Sequence, residues 1–190
     1  VVINNIIKNK NSSFYSKIYW FLIKNTRNIF IPKCLKFRKL NPAEISLSLK
    51  HHAALKKIAL SNEPGLIIED DVLLDFNTDN LIKEALKLCS KNFDYIDLGG
   101  GCNLPLLSKD KPYKYDKRFI SLDIPRSRTT AAYILNPAVA KLLSSELLPI
   151  SLPIDWKYQF LFLKNQIRVA WTIPPAFIHG SENFFKSSIR

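Results

Sequence analysis

The sequence predicts an α/β domain with a mixed central sheet flanked by helices. Helical patterns alternate with short apolar runs: a helix over about 42–60 precedes the apolar run of residues 65–74, and a helix over about 77–90 precedes a strand over 93–98. With 190 residues, of which 47% are hydrophobic and 23% charged, the chain has the size and composition of one globular domain with a buried core.

The first of these helices has the clearest start signal. Asn41 is a typical N-cap, Pro42 suits the first helical position, and Glu44 lies where it completes a capping box. The helical spacing then places His51 in an otherwise apolar row on one face. Such a histidine is either a hydrogen-bonded core residue or a ligand, and the pattern leaves both interpretations open.

Later elements follow from apolar runs and cap residues. We expect a long loop over 103–128, which is rich in Pro, Lys and Asp, and a proline-bounded loop over 149–155 that presents Asp155. The other predicted elements are a strand over 129–135, a helix over 137–148, a helix over 156–163, a strand over 167–173 and a tail from Pro174. Before residue 41 the pattern is weak and predicts only a strand at 1–3 and a helix over 13–23.

Residues 1–40 form a basic, aromatic arm that we distinguish from a domain over 41–190. The arm holds nine Lys or Arg residues and no acid, so it carries +9 of the formal net charge of +12. Such an arm suits anionic lipid headgroups, sugar nucleotides or nucleic acid, or it is a solvated segment without a specific ligand. The chain from Leu40 onward has no RNA- or DNA-binding motif, so we predict no nucleic-acid partner and a peripheral contact with an anionic membrane.

The cysteines and the hydropathy pattern indicate a cellular compartment. Cys34, Cys89 and Cys102 are odd in number and match no zinc spacing, which predicts thiols in a reducing, cytoplasmic compartment. Lys17 and Lys24 interrupt the aromatic-aliphatic run near the N-terminus, so we expect no membrane span.

Three consecutive acids are the strongest chemical signal in the chain. The apolar run over 65–74 predicts a buried strand, and Glu69, Asp70 and Asp71 interrupt it. A desolvated carboxylate needs a partner charge, hydrogen-bond donors or a metal. Strand-end carboxylates suit a hard divalent cation that keeps positions open for phosphate oxygens. The alternative is a solvated acidic turn.

Five segments, in order along the chain, resemble glycosyltransferase family 25, which includes bacterial lipooligosaccharide galactosyl- and glucosyltransferases and the collagen galactosyltransferases. Residues 44–51 resemble the family's Glu-Ile-Gly-Cys-x-x-Ser-His helix, and residues 67–72 resemble the segment with its Glu-Asp-Asp motif. The other three segments are 130–135, similar to the Ala-Tyr-x-x-Ser stretch, 153–155, similar to Pro-Val-Asp, and 174–189, similar to the C-terminal Pro…Ser-x-Ile segment. The family's opening strand and helix are not recognisable in residues 1–40, so we expect a truncated or rebuilt N-terminal element.

The resemblance implies a GT-A type nucleotide-sugar-binding domain that transfers a hexose, galactose or glucose, with inversion. The implied donor is a UDP-sugar, the implied acceptor is a glycan or lipid-linked glycan such as lipooligosaccharide, and the implied cofactor is Mn²⁺ or Mg²⁺. The protein would then act in the cytoplasm, at the inner face of the bacterial cytoplasmic membrane. The main alternative is a non-catalytic sugar- or nucleotide-binding remnant of the same fold. A metal-dependent hydrolase is disfavoured, since a second group of His and Asp at metal-ligand spacing is absent from the sequence.

The resemblance also implies roles for individual residues. Asp71 would be the principal metal ligand, with Glu69 and His179 as further ligands. Substrate binding would involve five residues: His51, Glu69, Asp70, Thr130 and Tyr133. For His179, an exposed position in the tail is the alternative.

Asp155 is the candidate general base, because an inverting displacement needs a carboxylate near the acceptor hydroxyl. The alternative role for Asp155 is that of a helix N-cap before Trp156. Asp123 and Glu182 are the next candidates for the base.

Overall fold

The computed structural model describes residues 39–74, 78–89, 91–100, 112–114, 117–122, 125 and 129–179. Within these ranges the helices are α1 (Pro42–Ala59), α2 (Thr78–Leu88), α3 (Pro137–Glu146) and α4 (Ile154–Asn165). The strands are β1 (Gly65–Ile68), β2 (Val72–Leu74), β3 (Tyr95–Asp97), β4 (Pro112–Lys114), β5 (Phe119–Leu122), β6 (Ala132–Leu135), β7 (Val169–Thr172) and β8 (Phe177–His179). The predicted strand at 1–3, the predicted helix over 13–23 and the basic residues before Lys39 lie outside the described residues.

The start of α1 agrees with its sequence signal. The Asn41 side chain accepts a hydrogen bond from the Glu44 amide at 2.8 Å, and the Glu44 carboxylate accepts one from the Asn41 amide at 2.9 Å. At the start of α3, the Asn136 side chain accepts a hydrogen bond from the Val139 amide at 2.8 Å. These side chains satisfy amides that have no partner within the helix, which fixes where α1 and α3 begin.

Six strands form one mixed sheet in the order β1-β6-β3-β7-β5-β4. β3 and β7 are parallel, whereas the other neighbouring pairs are antiparallel. This arrangement confirms the predicted mixed central sheet. β2 and β8 pair antiparallel in a separate two-stranded sheet.

Helices cover both faces of the six-stranded sheet. Tyr95, Tyr133 and Trp171 pack on one face in a core with residues of α1, α3 and α4. Ile96 and Ile134 alternate with them and pack on the other face in a core with residues of α2. Because successive side chains of a strand point to opposite faces, each of these apolar strands contributes residues to both cores.

The acid-containing run differs from the prediction of one buried strand. It forms two strands, β1 and β2, which belong to different sheets and are separated by the turn at Glu69, Asp70 and Asp71. β1 is an edge strand that pairs only with β6 among the described residues, and the side chain of Ile68 is 44% exposed. The apolar sequence therefore marked a strand correctly, but the acids end it and the edge position leaves it partly exposed.

Three other predictions were wrong. The segment 103–128, which we expected to be a loop, contains β4 and β5, and β5 pairs with the central strand β7. α4 begins at Ile154, so Asp155 lies in the first turn of a helix and not in the preceding loop. His179 lies in β8 opposite Val72 and not in an irregular tail. Pro, Lys and Asp near these elements concealed short apolar patterns, because those residues usually indicate loops.

None of the helices formed by the described residues is long and apolar enough to cross a membrane.

Candidate active site

The candidate site lies along the border of the six-stranded sheet where the strands begin or end. We call this border the Glu69 edge. β1, β3 and β7 end at this edge, and the antiparallel strands β5 and β6 begin there. Glu69 directly follows β1, and Thr130 lies two residues before β6. Open α/β sheets usually bind ligands at the carboxyl ends of their parallel strands. The topology thus brings two of the predicted site residues to the edge where a ligand is expected.

Glu69 is held in place by both its backbone and its side chain. Its amide donates to the carbonyl of Ala131 at 2.7 Å, which extends the pairing of β1 with β6 by one residue. Its Oε1 accepts a hydrogen bond from Thr130 Oγ1 at 2.7 Å and lies 3.1 Å from His51 Nε2. The Glu69 side chain is 13% exposed. This carboxylate is therefore largely desolvated and oriented by two neighbours.

His51 connects Glu69 to two buried tyrosines. Its Nδ1 lies 2.7 Å from the hydroxyl of Tyr133, which in turn lies 3.0 Å from the hydroxyl of Tyr158. The imidazole and the Tyr133 ring are stacked, with centroids 5.7 Å apart and an interplanar angle of 13°. Both ring nitrogens thus have protein partners, as expected for the hydrogen-bonded core histidine that the sequence left as one interpretation.

The donors and acceptors of this network fit one continuous pattern. Burial raises the pKa of Tyr133 and of Tyr158, so both hydroxyls keep their protons. If Tyr158 donates to Tyr133 and Tyr133 donates to Nδ1 of His51, the proton on Nε2 of His51 is directed at the Glu69 carboxylate. The network then ends on an acceptor at the Glu69 edge, and each hydrogen bond fixes the orientation of the next group.

Asp155 occupies the first turn of α4, one helical turn before Tyr158. The N-cap of α4 is Pro153, which makes no side-chain cap bond, so the alternative role of Asp155 as an N-cap is wrong. Burial raises the pKa of the Asp155 carboxyl, amide hydrogen bonds from Trp156 and from Asp155 itself oppose this effect, and the negative charges of Glu44 and Glu69 increase the pKa further. The net result is a half-buried carboxyl with a raised pKa, electrostatically coupled to the Glu69 edge.

The turn between β1 and β2 presents the other two acids. Asp70 is exposed and Asp71 is half-buried. The register of β2 and β8 places the backbone of His179 opposite Val72, the residue after Asp71. Among the described side chains, no group of three or more His, Cys, Asp or Glu residues is arranged to hold a metal ion.

The donor set of this turn nevertheless fits a divalent cation of the Mg²⁺ or Mn²⁺ type. Such ions prefer carboxylate oxygens, and in nucleotide-binding sites one or two carboxylates usually share the ion with substrate phosphates. Asp70 and Asp71 are of this kind. Glu69 is less suited to be a ligand, because its Oε1 already accepts from Thr130 and lies within hydrogen-bond distance of His51.

Two residues of the site were not identified from the sequence. Tyr158 was hidden in the apolar pattern of α4, where an aromatic residue at helical spacing usually indicates core packing. Glu44 was identified as part of a capping box and of the family-like helix over 44–51 but not as a site residue, although its charge acts on Asp155. No sequence signal distinguished this second role, since a Glu at that position is already explained by the capping box.

The comparison with protein families confirms the family that the sequence resembles. Residues 7–157 match the model of glycosyltransferase family 25, described as an LPS biosynthesis protein. The match begins within the segment where the family's opening elements were not recognisable to us, and it ends two residues after Asp155. A search of curated proteins found no match. Because the family match covers more than half of the sequence, the chain belongs to glycosyltransferase family 25.

Proposed function

We propose that this protein transfers a hexose, galactose or glucose, from a UDP-sugar to a hydroxyl of a cell-surface glycan such as lipooligosaccharide, with inversion at the anomeric carbon. Membership of a family described as LPS biosynthesis proteins supports glycosyl transfer of this general kind. The observation that supports an inverting displacement is the half-buried carboxyl of Asp155 in the first turn of α4, whose pKa is raised by burial and by Glu44 and Glu69. A carboxylate with a raised pKa is a better general base than an ordinary aspartate.

In the proposed reaction, Asp155 accepts the proton of the acceptor hydroxyl. The hydroxyl oxygen forms a bond to the anomeric carbon while the bond between that carbon and the diphosphate oxygen breaks on the opposite side. The proton stays on Asp155, and the electron pair of the broken bond leaves with the UDP. Inversion follows because the new bond forms on the face opposite the leaving group.

Glu69 would act as an oriented hydrogen-bond acceptor for the substrate. Its Oε1 is fixed by Thr130 and His51, so the carboxylate cannot rotate freely and presents a fixed acceptor to a sugar or ribose hydroxyl. His51, Thr130 and Tyr133 would then contribute to substrate binding through Glu69, by fixing its position.

Asp71, with Asp70, would hold a divalent cation, Mn²⁺ or Mg²⁺, and His179 is a further candidate ligand from the neighbouring strand β8. When bound, such a cation neutralises the charge that develops on the departing diphosphate. The carboxylates of the turn also need a cationic partner near an anionic donor, because they would otherwise repel its phosphates.

The acceptor that we propose is glycan linked to a lipid. A basic arm over residues 1–40 would hold the protein at an anionic membrane, where each Lys or Arg near the surface contributes roughly 1 kcal/mol of attraction. Apart from Lys39 and Leu40, this arm lies outside the described residues, so the support comes from its charge alone.

A panel of UDP-sugars, incubated with the purified protein, Mn²⁺ and a lipooligosaccharide acceptor, tests the proposal. We expect acceptor-dependent release of UDP with UDP-galactose or UDP-glucose, and loss of that release when the metal is chelated. UDP-sugar binding without release from any donor would contradict the proposal and favour the non-catalytic remnant. Release of UDP that persists after chelation would contradict only the proposed requirement for a divalent cation.

A further inference from the structure

α4 has apolar side chains on two opposite sides, although only one side faces the core. Ile154, Tyr158, Leu161 and Phe162 are buried against the sheet. On the opposite side, Trp156, Phe160 and Leu163 are 59%, 54% and 47% exposed. Their spacing of four and three residues aligns them in one row along the helix, which we call the α4 stripe. A contiguous row of large, exposed apolar side chains is the kind of surface feature that marks a binding site.

The exposed charges of the helix layer that contains the α4 stripe are cationic. In the helix layer formed by α1, α3 and α4, the exposed charged side chains are all lysines: Lys50, Lys56, Lys57, Lys141 and Lys164. None of the three acids of these helices is fully exposed: Glu44 is buried, Asp155 is half-buried, and Glu146 is half-buried and paired with Lys164. An anionic partner would therefore meet no exposed acid on these helices.

α2, on the opposite face of the sheet, shows that this composition is not a general property of the chain. Its exposed side chains are Asp79, Asn80, Lys83 and Lys87, and its large apolar residues are buried or half-buried. α2 thus has the mixed polar surface expected of a helix that faces water. Among the described helices, the aromatic row and the one-sided charge occur in the α1, α3 and α4 layer and not in α2.

We infer that the α4 stripe is a docking surface for an anionic lipid bilayer. Trp, Phe and Leu insert into the boundary between headgroups and acyl chains, and neighbouring lysines are attracted to anionic headgroups. Asp155 directly precedes Trp156, so a bilayer that receives the α4 stripe lies next to the proposed base. Docking to the membrane does not depend on the proposed function. Only the identity of the acceptor, the glycan headgroup of a lipid that docking would bring to Asp155, rests on that function.

The test is co-sedimentation of the full-length protein with vesicles of phosphatidylcholine alone or mixed in equal amounts with phosphatidylglycerol. The informative variant is the double substitution Phe160→Gln with Leu163→Gln, since glutamine is a good helix former and leaves the amides near Asp155 unchanged. Leu60→Gln is the matched control, because Leu60 is a lone apolar residue, 88% exposed, beyond the end of α1.

We expect the parent to bind the anionic vesicles and the double variant to bind at least about tenfold more weakly, because it loses two apolar side chains from the membrane contact. The Leu60→Gln variant should bind like the parent. Equal binding of the double variant and the parent would overturn the inference, because the basic arm would then account for all membrane binding. A change in oligomeric state of the double variant in solution would also overturn it, because the α4 stripe would then be a protein contact.

The vesicle measurement needs no donor or acceptor, so its failure and the failure of the proposed function are distinguishable. With a water-soluble acceptor and no vesicles, the double variant should release UDP at the parental rate, because Phe160 and Leu163 take no part in the reaction. Vesicle binding without any UDP release would support the docking surface and contradict the proposed function.

Discussion

The two edges of the central sheet contain carboxylates in opposite electrostatic settings. At the edge opposite Glu69, Asp94 accepts hydrogen bonds from the Arg168 guanidinium at 2.8 and 2.9 Å and from Asn136 at 3.1 Å. Burial alone would raise the pKa of Asp94, but the hydrogen bonds and charge of Arg168 lower it below its usual value of 3.8. Asp155, in the first turn of α4, is electrostatically coupled to the Glu69 edge, and its pKa is raised by burial and by the negative charges of Glu44 and Glu69.

The difference indicates what each edge is for. Asp94, Arg168 and Asn136 lie beside the ends of β3, β7 and β6, so their hydrogen bonds join three strands and stabilise the sheet. Carboxylates placed so that their charges raise the pKa of a neighbouring acid cost stability instead, and such arrangements are often found at functional sites. We therefore expect substitutions at the Glu69 edge to impair transfer, and substitutions at the Asp94 edge to impair stability.

The largest expected effect is on donor binding. Asp71→Asn should make Mn²⁺-dependent UDP-sugar binding undetectable by calorimetry, because the amide removes the charge that attracts the cation. The thermal unfolding midpoint should change little, since Asp71 lies in a turn between two short strands. UDP-sugar affinity equal to that of the parent would contradict the assignment of Asp71 and weaken the contrast between the edges.

Asp94→Asn should have the opposite effect, a loss of stability without a loss of transfer. Loss of the charged hydrogen bonds to Arg168 should lower the free energy of unfolding by about 1 to 3 kcal/mol, measured by urea denaturation, while transfer by the folded protein stays at the parental level. Because the pKa of Asp94 is lowered in the fold, its contribution is present above the unfolded value of 3.8 and is lost as pH falls through the folded value. The stability difference between parent and variant should therefore shrink in acid. A difference that is independent of pH would argue against the ion pair.

Much of the fold could be predicted from local signals. The capping residues Asn41 and Asn136 identified the starts of α1 and α3, and the apolar run before Glu69 identified β1. The pairing could not be predicted in this way, because the position of β1 at the edge and the pairing of β2 with β8 depend on contacts far apart in sequence. β4 and β5 were missed for the same reason: they are short, and β5 is stabilised by its pairing with β7.

For the candidate site, residue types were easier to predict than relations between residues. The run of acids and the family resemblance were enough to propose Glu69, Asp71 and Asp155 as candidates. The connection of Glu69 through His51 and Tyr133 to Tyr158 joins α1, β6 and α4, which no sequence spacing encodes. The effect of Glu44 on Asp155 was hidden too, because a capping role already explained that acid.

The pH dependence of transfer gives a smaller but more specific test of the claim that neighbouring carboxylates raise the pKa of Asp155. Glu44→Gln keeps the capping box, because Gln serves at that position as Glu does, and it removes one of the negative charges that raise the pKa of Asp155. The base must be ionised to act, so activity is lost as pH falls through this pKa. The acidic limb of the pH-rate profile should consequently move to lower pH in the variant. An unmoved limb would show that another group controls it.

Tyr158→Phe should have the smallest effect. It removes the last hydroxyl of the network and costs about 1 kcal/mol of stability for one buried hydrogen bond. If the network positions Glu69, the KM for the UDP-sugar should rise a few-fold while kcat changes less. An unchanged KM with the same loss of stability would limit Tyr158 to packing.

The central claim is that Asp155 is the base of a glycosyl transfer, and one pair of substitutions tests it most directly. Asp155 and Asp79 are each the second residue of a helix, α4 and α2, but Asp79 is exposed and lies on the opposite face of the sheet. Single-turnover transfer should fall by about 10²- to 10⁴-fold in Asp155→Asn, with UDP-sugar affinity unchanged, because only the proton acceptor is lost. Asp79→Asn should transfer at the parental rate. A transfer rate of Asp155→Asn within a few-fold of the parent would contradict the claim, and the search for the base would move to Asp123 and Glu182.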